Sequence, residues 1–131
     1  MALNGTTVTA NRALRAGAGG IGTNGTMSLS GSTVTGNTAD GAGGGLYNNP
    51  HGVLTVSDST VSGNTAASYG GGLFNRGAAT LTGSTVTGNT AGTDGGGIYV
   101  YSGTVTLQDT TVTGNVPDNC APPGSVTGCT G

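Results

Sequence analysis

The chain has 131 residues, of which 6% are charged, and its formal net charge is −2. Its three Lys plus Arg residues cannot form the basic patch that neutralises a nucleic-acid backbone or binds a charged membrane surface. No apolar run approaches the roughly 18–20 residues that a membrane-spanning helix needs. We therefore expect neither nucleic-acid binding nor membrane insertion.

Glycine, with 29 residues, dominates the composition. Disordered chains usually combine low hydrophobicity with high net charge, and this chain has little charge. Collagen is excluded because glycine has no three-residue period. The composition favours a repeat architecture, in which each unit buries little alone and stacking completes the core.

Each unit begins with a short phrase in which apolar and small polar residues alternate. This phrase occupies residues 1–3, 27–29, 54–56, 79–81 and 105–107. Alternation with a period of two is typical of a strand with one buried face. Each phrase therefore predicts a strand.

The second phrase has a central Val, usually flanked by Thr, and is followed by an Asn. The Val recurs at 25–27-residue spacing, as Val8, Val34, Val61, Val86 and Val112. The Asn recurs in step, as Asn11, Asn37, Asn64, Asn89 and Asn115. We expect the Val to stack inward and the Asn to form an amide ladder between neighbouring coils. The residue before each Asn, Gly except for Ala10, is expected to relieve a bend.

The third phrase is a glycine run that ends in Ile21, Leu46, Leu73 or Ile98. We expect the triplets at 43–45, 70–72 and 95–97 to let the chain turn tightly into a third strand. Length variation is confined to the corner that follows, and its longest version contains His51. We interpret this lone His as a loop residue rather than a catalyst.

Three short strands in a unit of about 26 residues describe a coil, since a β-propeller blade needs about 40–45 residues. The sequence thus predicts an all-β fold: a right-handed, single-stranded parallel β-helix (solenoid). It would have about five coils over residues 1–116, with three short strands per coil. Equivalent strands would stack in parallel, about 4.8 Å apart.

The phrases "GGGLYN", "GGGLFN" and "STVTGNTA" resemble right-handed parallel β-helix repeats of secreted bacterial proteins. These include the pectin-lyase-like and the polymorphic outer-membrane-protein-like repeats. The resemblance covers nearly the whole chain, and it implies the fold better than the function, because the fold hosts lyases, hydrolases, adhesins and spacers. Lyases of this kind typically use a Lys or Arg base with a calcium ion held by carboxylates. This chain has no Lys, and Arg12, Arg15 and Arg76 share no repeat position.

The tail, "VPDNCAPPGSVTGC", resembles the end of such β-helix domains. Cys120 and Cys129 are the two cysteines of the chain. An even pair favours a disulfide over two free thiols, and so an extracellular or cell-surface location. We expect this disulfide to close a C-terminal cap over residues 117–131, because solenoids need their open ends shielded.

The aspartates give little indication of chemistry. Asp58 and Asp109 are equivalent residues two coils apart, roughly 10 Å by strand spacing, which is wide for an acid–base pair. We expect them to cap local backbone N–H groups. Asp40 and Asp94 precede glycine runs but lack the ligand density of a calcium loop. We expect no catalytic residue, no metal site and no cofactor.

Two surface features stand out. Tyr47, Phe74 and Tyr99 each follow an inward Leu or Ile and form an outward row, which either covers neighbouring backbone or contacts carbohydrate or protein. Flanking the ladder Val are two ranks of hydroxyl side chains that resemble the T-x-T face of β-solenoid ice-binding proteins. These ranks contain Thr7, Thr9, Thr33, Thr35, Thr60, Ser62, Thr85, Thr87, Thr111 and Thr113. Thr is also a favoured exposed strand residue, so the ranks have a structural explanation as well.

The leading hypothesis is a non-catalytic, secreted or cell-surface β-helix of a structural or adhesion type. The chain begins inside a strand, which indicates either a longer β-helix or an open first coil through which copies stack end to end. Ice binding is the first alternative. A carbohydrate-binding or polysaccharide-degrading β-helix is the second.

Overall fold

The computed structural model describes every residue from Met1 to Gly131. The chain forms 19 short strands and no helix, and hence no apolar helix long enough to cross a membrane. The strands follow one another around five successive coils.

Coils 1 to 4 each contain four strands, and coil 5 contains three. Coils 1 and 2 comprise β1 (Ala2–Asn4), β2 (Thr7–Thr9), β3 (Arg12–Ala13), β4 (Ile21–Thr23), β5 (Thr26–Ser30), β6 (Thr33–Thr35), β7 (Thr38–Ala39) and β8 (Leu46–Asn48). Coils 3 and 4 comprise β9 (Val53–Ser57), β10 (Thr60–Ser62), β11 (Thr65–Ala66), β12 (Leu73–Asn75), β13 (Ala78–Thr82), β14 (Thr85–Thr87), β15 (Thr90–Ala91) and β16 (Ile98–Val100). Coil 5 comprises β17 (Thr104–Gln108), β18 (Thr111–Thr113) and β19 (Cys120–Ala121).

Equivalent strands of successive coils pair in parallel and in register, so the coils build four sheets. Sheet A runs β1-β5-β9-β13-β17, and sheet B runs β2-β6-β10-β14-β18. Sheet C runs β3-β7-β11-β15, and sheet D runs β4-β8-β12-β16-β19. The ladder Val residues are direct partners, as in Val34 with Val61. The predicted parallel β-helix of about five coils is therefore confirmed.

In coils 1 to 4 the structure adds a fourth strand to the three that the sequence predicted. The short strands of sheet C, such as Thr38–Ala39, lie directly after the recurrent Asn. A two-residue strand cannot show an alternating pattern, so periodicity did not reveal it. Its inward Ala, such as Ala39 or Ala66, is 1% exposed and gives the coil a fourth wall.

The core is a narrow column of apolar side chains along the solenoid axis. Leu29, Val34, Leu46 and Leu81 are each at most 1% exposed, and they belong to one cluster of 14 buried residues. Each coil supplies only a few of these side chains. The core exists because the coils stack, as expected for a solenoid.

The recurrent Asn residues form a ladder of hydrogen bonds beside this core. Asn64 Nδ2 donates to Asn89 Oδ1 at 3.0 Å and to the Val34 carbonyl at 2.9 Å. Asn64 Oδ1 accepts from both the backbone N–H and the Nδ2 of Asn37, each at 3.0 Å. The same pattern repeats at Asn37, Asn89 and Asn115. Each side-chain amide thereby satisfies backbone groups of the preceding coil and bonds to the Asn side chain of the next coil.

A second polar ladder lies at the corner between sheets A and B. The Ser32 and Ser59 hydroxyls accept the backbone N–H groups of Thr6 and Ser32 at 3.1 and 3.0 Å. Ser84 and Thr110 continue the series. The three serines are 3–4% exposed. This ladder is not apparent from the sequence, because serine before a strand is also an ordinary turn residue.

The glycine triplets are required by the neighbouring coil as much as by the turn. The first glycine, as at Gly43, has the positive φ of a tight turn, at 73°. Gly44 has an ordinary φ, but a Cβ there would lie 2.4 Å from the Gly71 carbonyl oxygen in the next coil. Side chains are therefore excluded at this position by coil-to-coil contact.

The last 15 residues fold against the C-terminal end of the core. The disulfide Cys120–Cys129 is present, with a Cα–Cα distance of 6.2 Å. Val126, between the two cysteines, is 3% exposed and joins the core cluster. Asn119 extends the amide ladder by accepting from Asn115 at 3.0 Å and donating to the Thr130 carbonyl. The tail is thus attached to the stack by an apolar contact and by the ladder.

Candidate functional site

The threonine ranks lie on the outer surface of sheet B. The three-residue strands of this sheet place Val inward and the two flanking residues outward. Thr33, Thr60 and Thr85 are direct partners across successive strands. The second rank, from Thr9 to Thr113, is aligned in the same way.

Most hydroxyls of these ranks are free to bond to solvent. Ser62 Oγ donates to Thr35 Oγ1 at 3.3 Å, and the other eight side chains make no hydrogen bond within the protein. The ranks of coils 1 and 5 are exposed, whereas those of coils 2 to 4 are half-buried by their neighbours. The face is a regular array of hydroxyl and methyl groups without charge.

The aromatic row lies on the outer surface of sheet D. Phe74 pairs in register with Tyr47 on one side and with Tyr99 on the other. The Tyr47 and Phe74 ring centroids are 4.8 Å apart, and the Phe74 and Tyr99 rings are 5.6 Å apart with planes within 5°. The rings pack on one another, so Phe74 is only 5% exposed.

Two further tyrosines and an arginine join this row. The Tyr69 ring lies 4.6 Å from Tyr99, and the Tyr101 ring lies 5.9 Å from Phe74. The Arg76 guanidinium lies 5.1 Å from the centre of the Tyr101 ring. All five aromatic residues of the chain therefore belong to one patch. Tyr69 and Tyr101 lie outside the repeated phrase, so their place in this patch is not apparent from the sequence.

Carboxylates border the patch where coil 4 meets coil 5. Asp118 accepts the Gly95 backbone N–H at 2.9 Å, and Asp94 accepts the same N–H at 3.2 Å. Burial raises the pKa of Asp118, and its hydrogen bond and repulsion with Asp94 raise it further. The pKa of Tyr99 is also raised, first by burial and then by its neighbours Tyr69 and Asp94.

The other aspartates are dispersed. Asp40 pairs with Arg12 at 3.1 Å on the surface, with both side chains well exposed. Asp58 and Asp109 do not cap the turn, contrary to our expectation, and their side chains make no hydrogen bond. They instead adopt φ values of 47° and 48°, at a position where other coils have glycine. Aspartate is one of the few residues that tolerate this conformation.

The structure contains no group of three or more His, Cys, Asp or Glu side chains that could hold a metal ion. His51 is exposed at the corner between sheets D and A. Asp58 and Asp109, which occupy equivalent positions two coils apart, form no salt bridge.

Coil 1 has two hollows, one on the outer surface of sheet D and one at the open end of the stack. Gly22 occupies the row position that Tyr47 occupies in coil 2, and the two residues are partners across β4 and β8. A hollow of about 200 Å³ lies there. A second hollow of about 450 Å³ opens where Leu3, Val8 and Ile21 face the end of the stack.

Two segments of the chain, residues 58–76 and 83–101, match the Chlamydia polymorphic membrane protein repeat. Each segment contains the T-V-T/S phrase, the recurrent Asn and the glycine run of one coil. These two coils are therefore similar to that repeat, and the chain as a whole is a parallel β-helix repeat protein. No curated protein and no solved structure matches the chain.

Proposed function

We propose that the chain is a non-catalytic β-helix module of a bacterial surface protein, with a structural or adhesion role. The observation that carries this proposal is the match of two consecutive coils to a repeat of polymorphic membrane proteins. The disulfide supports an extracellular setting, since such bonds persist in oxidising compartments. The buried polar side chains also support a structural role, because the Asn and Ser ladders bond neighbouring coils to one another.

Surface display is tested on intact cells of the source bacterium. An antiserum raised against the purified chain should label intact cells, and added protease should remove the signal. A cytoplasmic marker protein serves as the control and should remain unlabelled and intact. Labelling that appears only after the cells are permeabilised would contradict the proposal.

We also propose that the 131-residue chain self-associates through coil 1. The strands β1 to β4 are each paired on one side only, which leaves four unpaired edges around half-buried Leu3, Val8 and Ile21. Open strand edges are ready to pair with another chain. Val126 and the disulfide cover the core at the opposite end, so we expect pairs joined through coil 1 rather than long rods.

Light scattering over a concentration series tests this association. The chain should change from monomer to dimer as its concentration rises, and Leu3→Lys should stay monomeric because a charge would enter the apolar contact. The matched control is Thr55→Lys, which adds the same charge on the exposed surface of sheet A. A wild-type chain that is monomeric at every concentration would exclude self-association.

Ice binding is a second candidate, and the register of the sheet B threonines favours it. The rank spacing is about 4.8 Å between coils and about 6.6–7 Å along the strand, so the hydroxyls form a flat two-dimensional array. Thermal hysteresis and ice shaping by the wild-type chain would support this function. Thr60→Lys should abolish the activity, whereas Thr55→Lys on sheet A should retain it. Equal activity of the two variants would exclude the array as the ice-binding face.

A further inference from the structure

The aromatic row of sheet D lacks its first member. Coils 2, 3 and 4 supply Tyr47, Phe74 and Tyr99 in register, whereas coil 1 supplies Gly22. The hollow of about 200 Å³ at this point is lined by Ala16, Gly17, Ala18, Gly22, Tyr47 and Asn49. Tyr47 packs on Phe74 on the side of coil 3 and borders the hollow on the side of coil 1.

The backbone does not require glycine at this position. Gly22 lies within β4 with an ordinary φ, and the nearest atom to an added Cβ would be the Ala18 Cβ at 3.4 Å, which is a normal contact. Its neighbours differ, because a Cβ at Gly19 or Gly20 would lie 2.3 or 2.7 Å from a carbonyl oxygen of coil 2. A glycine inside a strand weakens it and often marks a bulge, a tight bend, or the close approach of a ligand or another backbone.

The size of the hollow indicates what it would hold. Pockets that enclose a whole small molecule usually measure about 300–1,000 Å³. A hollow of about 200 Å³ that is open to solvent suits one ring that belongs to a longer molecule.

The lining indicates the chemistry of that ring. Tyr47 is the one aromatic residue that lines the hollow, and no charged residue lines it. Asn49 donates its Nδ2 to the Thr23 carbonyl at 3.1 Å, which leaves its Oδ1 as a hydrogen-bond acceptor. A pyranose ring uses both features, because its C–H face packs on an aromatic ring and its hydroxyls donate to an amide oxygen.

We propose that the hollow at Gly22 binds a single neutral pyranose ring of a glycan, in the place of the missing aromatic side chain. The glycan chain continues outward through the open side of the hollow. This inference rests on the proposed adhesion role, for which it supplies a ligand class.

The first test is an NMR titration of the purified wild-type chain. The probes are the methyl glycosides of glucose, galactose, mannose and N-acetylglucosamine, with N-acetyl-tyrosinamide to represent an aromatic side chain from a protein. At least one glycoside should bind with a millimolar Kd and shift the amide signals of Gly22, Tyr47 and Asn49. Binding of N-acetyl-tyrosinamide alone, or shifts confined to the Tyr99–Tyr101 end of the patch, would overturn the proposal.

The second test fills the hollow. Gly22→Phe should complete the row and weaken glycoside binding at least tenfold, without lowering the melting temperature. The matched control, Gly22→Ala, adds only a Cβ and should change the Kd less than threefold. Undiminished binding by Gly22→Phe would overturn the proposal, and if this variant does not fold, the wild-type shift map decides. Absence of any glycoside binding would overturn this inference, while labelling of intact cells tests the surface role separately.

Discussion

Coil 3 and coil 1 are built from the same repeat, but coil 3 has two neighbours and coil 1 has one. Val61 and Asn64 of coil 3 are at most 1% exposed. Their equivalents in coil 1 are less covered: Val8 is half-buried and Asn11 is exposed. In a solenoid each unit is stabilised by its own folding and by its contacts with the units on either side. An end unit has only one such neighbour, so it has about half of the stabilisation from these contacts.

Coil 1 also departs from the repeat at three positions. Ala10 replaces glycine at a positive φ of 57°, Arg12 replaces threonine and Gly22 replaces an aromatic residue. The interior coils leave little freedom at these positions, because stacking on both sides fixes the conformation and the size of each side chain. The comparison indicates that the interior coils carry the stability and that the first coil has room for a binding role.

The largest difference between the two coils is expected at the Asn ladder. Asn64→Ala would remove four hydrogen bonds and would leave the buried Asn37 backbone N–H without a partner. An unsatisfied buried group costs about 1–3 kcal/mol and each further lost hydrogen bond about 1 kcal/mol, so the free energy of unfolding should fall by about 3 kcal/mol or more. Asn11→Ala, in the exposed coil, should cost less than about 1 kcal/mol. Urea unfolding measures both, and equal losses would refute the difference between the coils.

The second largest effect is expected at the C-terminal end of the stack, which the disulfide-closed tail covers and which has no counterpart at coil 1. Replacing Cys120 and Cys129 together by Ser opens a loop with a sequence separation of 9. Loop-closure entropy predicts a loss of about 2–3 kcal/mol. The matched measurement is urea unfolding of the wild-type chain with and without reductant, which should reproduce the loss. A stability that is unaffected by both changes would mean that the tail does not contribute to the stack.

Smaller effects are expected at the residue before the ladder Asn, where a substitution should lower the stability of an interior coil and the reverse substitution should raise that of coil 1. Gly88 has a φ of 63°, and Gly88→Ala should cost about 1 kcal/mol because a Cβ is strained in this region. Ala10 already bears that strain in coil 1, so Ala10→Gly should raise the melting temperature slightly, equivalent to about 0.5–1 kcal/mol. Calorimetry on the two variants tests the pair. A loss of stability in Ala10→Gly would show that the conformation of coil 1 is not strained.

The smallest expected effect is the pH dependence at Asp118. Its folded-state pKa is raised, mainly by burial, above the value of about 4 of an unfolded chain. The folded state therefore holds this proton more tightly, and its contribution to stability is lost as the pH rises from about 4 through the folded pKa. Asp118→Asn should remove this part of the pH profile of the urea midpoint, whereas Asp40→Asn should leave it. Identical profiles for wild type and Asp118→Asn would contradict the assignment.

Much of the fold was predictable because the same sequence pattern recurs in every coil of a solenoid. The Val and Asn spacings gave the coil length, and the alternation of Val34 with Thr33 and Thr35 gave the inward face. The fourth strand and the serine ladder were not predictable in this way. A two-residue strand has no period, and Ser32 is buried only because the next coil supplies Ser59 against it.

The surfaces were predictable only where they follow the repeat. Tyr47, Phe74 and Tyr99 share one position, but Tyr69 and Tyr101 reach the same patch from corners whose geometry the sequence does not reveal. The roles of Asp58 and Asp109 were predicted wrongly. Other coils have glycine at this position, which is the one sign in the sequence that the backbone adopts a positive φ here. The hollow at Gly22 was not predictable, because its shape depends on how the side chains of coil 2 pack beside it.

The measurement that tests the account most directly is native-state hydrogen exchange of the ladder Asn backbone amides. Each of these amides donates to the next Asn, as in Asn37 to Asn64 Oδ1 at 3.0 Å. The account predicts that the Asn37, Asn64 and Asn89 amides exchange only on global unfolding, whereas Asn11 exchanges at least tenfold faster through local opening of coil 1. Protection of Asn11 equal to that of Asn64 would contradict the account, because the first coil would then be as stable as the interior.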